Sequence, residues 1–168
     1  SGNAEVDALI REARGQLDQI AAANDAIADP ALSRQIEDIE TTCRQILQRL
    51  EEQPNMLSQL RTFLRYYLPA TLKLLNARAA LEAEVNAGGS PQIAARIAKA
   101  VGEVQSAFHK QLDALNEFRF INLESEMDVL ADMLKSDGLT AEPDAPAVAK
   151  EEPQEDDPFA SLFAKGEK

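Results

Sequence analysis

From Val6 to Leu134 apolar residues recur at steps of three and four, and that spacing confines the chain to helices whose apolar stripes need cover. The first stripe is Val6, Leu9/Ile10, Ala13, Leu17, Ile20 and Ile27. Asp29-Pro30 then reads as an N-cap with proline at the first helical position. The second stripe is Leu32, Ile36, Ile39, Cys43, Ile46/Leu47 and Leu50, and Pro54-Asn55 interrupts the chain after it. A third helix is predicted from Leu57 to Asn86, with Pro69 in its interior. The proline ring clashes with the Arg65 carbonyl in a regular helix, so a kink is predicted over 65–69.

Gly88-Gly89-Ser90-Pro91 reads as a turn, with Ser90 predicted to cap the next helix and Pro91 in its first turn. The fourth helix carries Ile93, Ile97, Val101, Val104, Phe108, Leu112 and Leu115 at near-heptad spacing. Its phase slips around Phe118–Asn122 and resumes as Leu123, Met127, Leu130 and Leu134. Asp137-Gly138-Leu139 has the pattern of a Schellman ending. The expected fold is therefore all-α: an antiparallel bundle of three to four long helices over residues 4–139. The alternative is a longer rod that completes its core against a second copy, a homo-oligomer.

Composition changes after Leu139. Residues 140–168 hold eight acids against three lysines, and prolines crowd Ala141–Pro158. Such a stretch offers too little apolar area to offset its ordering entropy, so a disordered acidic tail is expected. At its far end Asp157-Pro158 is suited to start a short helix, on which Phe159, Leu162 and Phe163 share one face. Those three residues are the predicted partner-binding motif.

Net charge is −12, with the basic residues scattered. That disfavours nucleic acid and anionic lipid as partners. The lone Cys43 cannot form an intramolecular disulfide and fits a reducing cytoplasm. No apolar stretch approaches the roughly 18–20 residues of a membrane span, and no leader pattern opens the chain. Ser1 replaces an initiator Met, so a processed chain is expected. If an upstream anchor has been removed, the location becomes the cytoplasmic face of a membrane.

Cys43 and Arg49 have the Cys-x5-Arg spacing of cysteine phosphatases. That chemistry needs a loop of free backbone N–H groups to cradle phosphate, whereas these residues sit mid-helix with Cys43 on the apolar stripe. A buried, inert thiol is expected. His109 is the one histidine and has no ligand partners at metal spacing. Glu37/Glu40 and Glu124/Asp128 read as solvated faces, and Gly88-Gly89 as a turn rather than a nucleotide loop. No catalytic, cofactor-binding or metal-binding residue is predicted, and no cofactor. A polar notch at the predicted kink, made of Tyr66, Tyr67, Thr71 and Lys73, is the one candidate small site.

The segment Tyr66-Tyr67-Leu68-Pro69-Ala70-Thr71-Leu72-Lys73-Leu74-Leu75 resembles the "YYLPTTLKLL" block of the 5-bromo-4-chloroindolyl phosphate hydrolysis (XpaC-like) family of bacteria, with Ala70 where Thr is common. The resemblance extends more loosely over residues 4–139, including Met127 to Met133. It implies hydrolysis of an indolyl phosphate without supplying a catalytic motif for any position here. It also implies a setting beside toxic-anion (tellurite) resistance proteins, and so a protein partner of that kind. Three readings stay open: a non-enzymatic interaction or scaffold protein linked to cell-envelope or toxic-anion stress, a phosphate-ester hydrolase, and an oligomeric coiled coil at the membrane surface.

Overall fold

A computed structural model describes residues 1–140; the predicted tail and its Phe159, Leu162 and Phe163 lie outside the described residues. The chain is all-α, with no strand among the described residues. Helix α1 spans Ala4–Asp25, and the Asn3 side chain caps it by accepting from the Glu5 and Val6 N–H groups. Helix α2 spans Pro30–Glu52, and Asp29 caps it by accepting from Ala31 and Leu32. Pro30 fits because the first helical position has no intrahelical N–H bond to lose.

The predicted third helix is broken into pieces. A 3₁₀ turn, Pro54–Met56, leads into α3, Leu57–Thr62. A π-helical turn follows at Phe63–Tyr67, then α4, Leu68–Ala80, and after Leu81 the short α5, Glu82–Asn86. The π turn sits where Pro69 would collide with the preceding turn of a regular helix. Widening that turn, with the Leu68 N–H reaching back to the Phe63 carbonyl, is how the chain passes the proline.

Gly88 takes a φ of 81°, and the N–H groups of Gly88 and Gly89 close onto the carbonyls of Val85 and Glu84, a Schellman ending. A Cβ on Gly89 would lie 2.9 Å from Glu84 Cγ and 3.1 Å from its carbonyl oxygen, so glycine is required there for close approach. Ser90 stands at the cap position of the next helix, its carbonyl accepting from the Ala94 N–H, with a φ of 54° and its hydroxyl donating back to the Glu84 carboxylate. Helix α6 then runs unbroken over Pro91–Ser136, 46 residues. It closes on Gly138, φ 68°, with Leu139 N–H on the Leu134 carbonyl.

The described residues divide into two compact units, Ser1–Leu115 and a second beginning at Asn116, beside the phase slip read from the sequence. In the first unit α1 packs against α2 and α4. Val6, Ile20, Ile36, Ile39, Ile46, Leu50, Leu60, Leu68 and Leu75 are fully buried. Phe63 and Phe108 meet edge to face with ring centroids 4.8 Å apart, seating α6 on the π turn. Arg78 is buried and ion-paired with Glu82, whose carboxylate also accepts from the Ala28 N–H at 2.8 Å. The Ala28–Glu82 hydrogen bond pins the α1–α2 connection to α5, and Arg78 balances the charge of the carboxylate that accepts it. No helix among the described residues is long and apolar enough to cross a membrane.

Candidate functional site

The largest unassigned feature is the outer part of α6. Phe120, Ile121, Leu123, Met127, Val129, Leu130 and Met133 are all exposed, from 47% to 64%, and Leu139 is 71% exposed. A single exposed apolar side chain is ordinary; a continuous set on one helix marks an interaction surface. Phe120, Leu123, Met127, Leu130 and Leu134 step by three, four, three and four, which is one straight seam. Leu134 is half-buried and the others are open. Sequence periodicity identified Leu123 to Leu134 as a stripe but did not extend it to Phe120. The three-residue step from Phe120 to Leu123 was the available signal.

Glu124 and Glu126 flank the seam beside Leu123 and Met127, and from Glu124 an acidic row winds away from it toward the opposite face of the helix. Glu124, Asp128 and Asp132 follow one another at i, i+4, and none of the three has an ion-pair partner among the described residues. Like charges at that spacing weaken a helix by a few tenths of a kcal/mol per pair. Over residues 116–139 six acids stand against Arg119 and Lys135, a net charge of −4.

Cys43 is fully buried on α2, and burial pushes its thiol up to about 12. A thiol so protonated is no nucleophile near neutral pH. The Cys43–Arg49 spacing therefore brings no reactive pair together.

The four residues of the predicted notch are treated differently from one another. Tyr66 is 68% exposed and Lys73 is exposed, whereas Thr71 is buried with its hydroxyl donating to the Tyr67 carbonyl at 2.7 Å. The threonine hydroxyl is thus spent on the backbone beside the π turn.

His109 has a partner that sequence spacing did not reveal. Its Nε2 meets Asp38 Oδ2 on α2, and Gln105 Nε2 donates to the same oxygen at 2.7 Å. Those hydrogen bonds, Gln105 first and His109 second, hold the Asp38 carboxyl below its ordinary range. The separation of 71 residues gives no sequence signal. With the imidazole and carboxylate both partly solvent-exposed, this is a strut between α2 and α6.

A groove of about 650 Å³ between α1 and α2 is lined by Arg14, Leu17, Asp18, Arg44, Leu47, Gln48 and Glu51. Its cations are matched by acids: Arg14 pairs with Glu51 at 2.9 Å, and Arg44 lies 4.0 Å from Glu40. No group of three or more His, Cys, Asp or Glu residues among the described residues is arranged to hold a metal ion.

A family model described as 5-bromo-4-chloroindolyl phosphate hydrolysis protein matches residues 3–130. The matched span contains the Tyr66–Leu75 block and ends within the exposed seam. No curated protein and no solved structure matches the chain.

Proposed function

We propose, from the premise that this chain belongs to the 5-bromo-4-chloroindolyl phosphate hydrolysis protein family, that it works as a non-enzymatic interaction protein whose partner-facing surface is the outer part of α6. The observation that carries this reading is the row Phe120, Leu123, Met127 and Leu130, large apolar side chains left 48–64% exposed on a regular helix. Side chains of that kind are normally covered, and those of the same helix from Ile97 to Leu115 are covered. The lone Cys43 fits a reducing cytoplasm, and the family resemblance adds an expected setting in cell-envelope or toxic-anion stress, with a toxic-anion resistance protein as one candidate partner.

The family description supports a second reading, phosphate-ester hydrolysis. It has to contend with a sole cysteine that is buried and protonated, and with Arg14 and Arg44 already facing carboxylates. The test is paired. Purified full chain is incubated with 5-bromo-4-chloroindolyl phosphate, with and without added divalent metals, and no turnover above a protein-free control is expected. In parallel, a photo-crosslinking side chain at Leu123 should yield protein adducts in the native cell that the same group at exposed Glu103 does not. Protein-dependent turnover would replace the interaction reading with the hydrolytic one.

A further inference from the structure

The exposed seam has a shape and a charge, and together they specify what covers it. Its apolar row follows a strict three-four alternation, the pattern by which one helix receives another. Met127 and Met133 give it an adaptable surface, since an unbranched thioether repacks against different neighbours at small cost. Glu124 and Glu126, on the two sides of the seam beside Leu123 and Met127, have no ion-pair partner among the described residues and lie in a segment of net charge −4. A second copy would bring another −4 against the first with only Arg119 and Lys135 of each to compensate. An anionic membrane surface is repelled for the same reason.

Resting on the interaction reading above, we infer that the seam binds a cationic amphipathic helix of a partner protein: apolar residues at heptad spacing meeting Phe120, Leu123, Met127, Leu130 and Leu134, with lysines or arginines on its flanks facing Glu124 and Glu126. The apolar row supplies the contact area and the flanking acids select the sign of the partner.

The test uses the full chain and a labelled peptide of about 21 residues, three heptads, with leucine at the core positions and lysine on the flanks. Fluorescence anisotropy should show saturable binding, with a gain of peptide helicity by circular dichroism and several-fold weakening as salt rises. The double substitution Leu123→Ser/Leu130→Ser should weaken binding at least about tenfold, as loss of central anchors does. Both positions are exposed, so the far-UV signal should be unchanged. Glu124→Gln/Glu126→Gln should weaken binding and flatten its salt dependence. A peptide with glutamate in place of lysine, and a scrambled lysine peptide without the heptad, should not bind. Equal binding of the scrambled peptide, or no effect of Leu123→Ser/Leu130→Ser, overturns the proposal, because attraction is then only diffuse charge. Sedimentation showing a dimer that Leu123→Ser/Leu130→Ser dissociates also overturns it, leaving the seam as an interaction surface for a second copy. Failure of every peptide, with a monomer in solution and no Leu123-specific crosslink, would retire the seam as an interaction surface altogether.

Discussion

Helix α6 carries the same kinds of side chain along its whole length, and they meet two different fates. Ile97, Val101, Phe108 and Leu115 are at most 8% exposed, whereas Phe120, Leu123, Met127 and Leu130 are 48% or more exposed. Phe108 lies against Phe63, while Phe120 stands 64% open. A phase slip separates the two stretches, but within each the periodicity is the same; both step by threes and fours. The difference is what the rest of the chain supplies. Residues up to Leu115 have α2 and the π turn to face, and the unit beginning at Asn116 has no other helix among its described residues. Periodicity states that a face needs cover; it does not state who provides it.

The sharpest test of that contrast exchanges one phenylalanine in each stretch. Phe108→Ala should cost about 3–5 kcal/mol, the range for emptying a large core position. Phe120→Ala should stay within about 0.5 kcal/mol, as exposed substitutions do. Urea unfolding of the full chain measures both. A cost near 2 kcal/mol or more at Phe120 would mean that the chain itself covers the seam.

Charges should show the same asymmetry at smaller scale. Arg78→Met leaves Glu82 without its buried cation and is expected to cost about 2 kcal/mol, since Glu82 keeps its bond from Ala28. Arg119→Met, on the exposed stretch, should be neutral within about 0.5 kcal/mol. If the two substitutions matched, the buried Arg78–Glu82 pair would contribute no more to stability than an exposed charge.

Thiol accessibility gives a third comparison. Cys43 should resist labelling by a thiol reagent until the protein unfolds, because its thiol is fully buried and held protonated. A cysteine placed as Leu123→Cys in a Cys43→Ser background should label at the rate of a free thiol. The background change itself should cost about 1–2 kcal/mol, from a hydroxyl on an apolar stripe. Rapid native labelling of Cys43 would show that α2 opens locally.

Much of the fold could be read in advance where a local chemical rule operates. The stripes of α1 and α2, the Asp29-Pro30 start and the Gly138 ending each depend on a few adjacent residues, and each formed as read. Ser90 stands at the start of α6, its carbonyl accepting from Ala94, and the bond from its hydroxyl to the Glu84 carboxylate six residues back was not legible from spacing. Pro69 announced a disturbance, but its form, a π turn at Phe63–Tyr67, depends on packing around Phe63 and Phe108. Ile93 lies on the expected stripe and is 47% exposed, since α6 begins before its neighbours reach it. The candidate surface was half legible: the leucines and methionines were in phase, but their exposure was a property of what the chain leaves uncovered.

The smallest expected effects set an inward carboxyl against an outward one on the same helix, two residues apart. Glu40 is buried to 6% exposure, and burial raises its carboxyl above the ordinary 4.5, with Arg44 opposing and Glu37 and Asp25 adding to the rise. A carboxyl raised on folding favours the native state below its unfolded value and opposes it as pH climbs through the folded value. Glu40→Gln should therefore stabilise near pH 7, by about 0.5 kcal/mol, because the nearby Arg44 already offsets part of the burial cost. The gain should vanish below pH 4. Asp38 behaves oppositely: its bonds from Gln105 and His109 lower it below 3.8, so its contribution is present above that value and is lost as pH falls through the folded one. Asp38→Asn should cost about 0.5 kcal/mol near pH 7, small because the pair is partly solvated, and nothing at the acid extreme. Stability measured from pH 3 to 8 should thus separate the two variants in sign at neutral pH and bring both onto the parent curve in acid. Curves that shift in the same direction would mean that Glu40 is solvated like its neighbour, and that the inner face of α2 is less closed than its burial indicates.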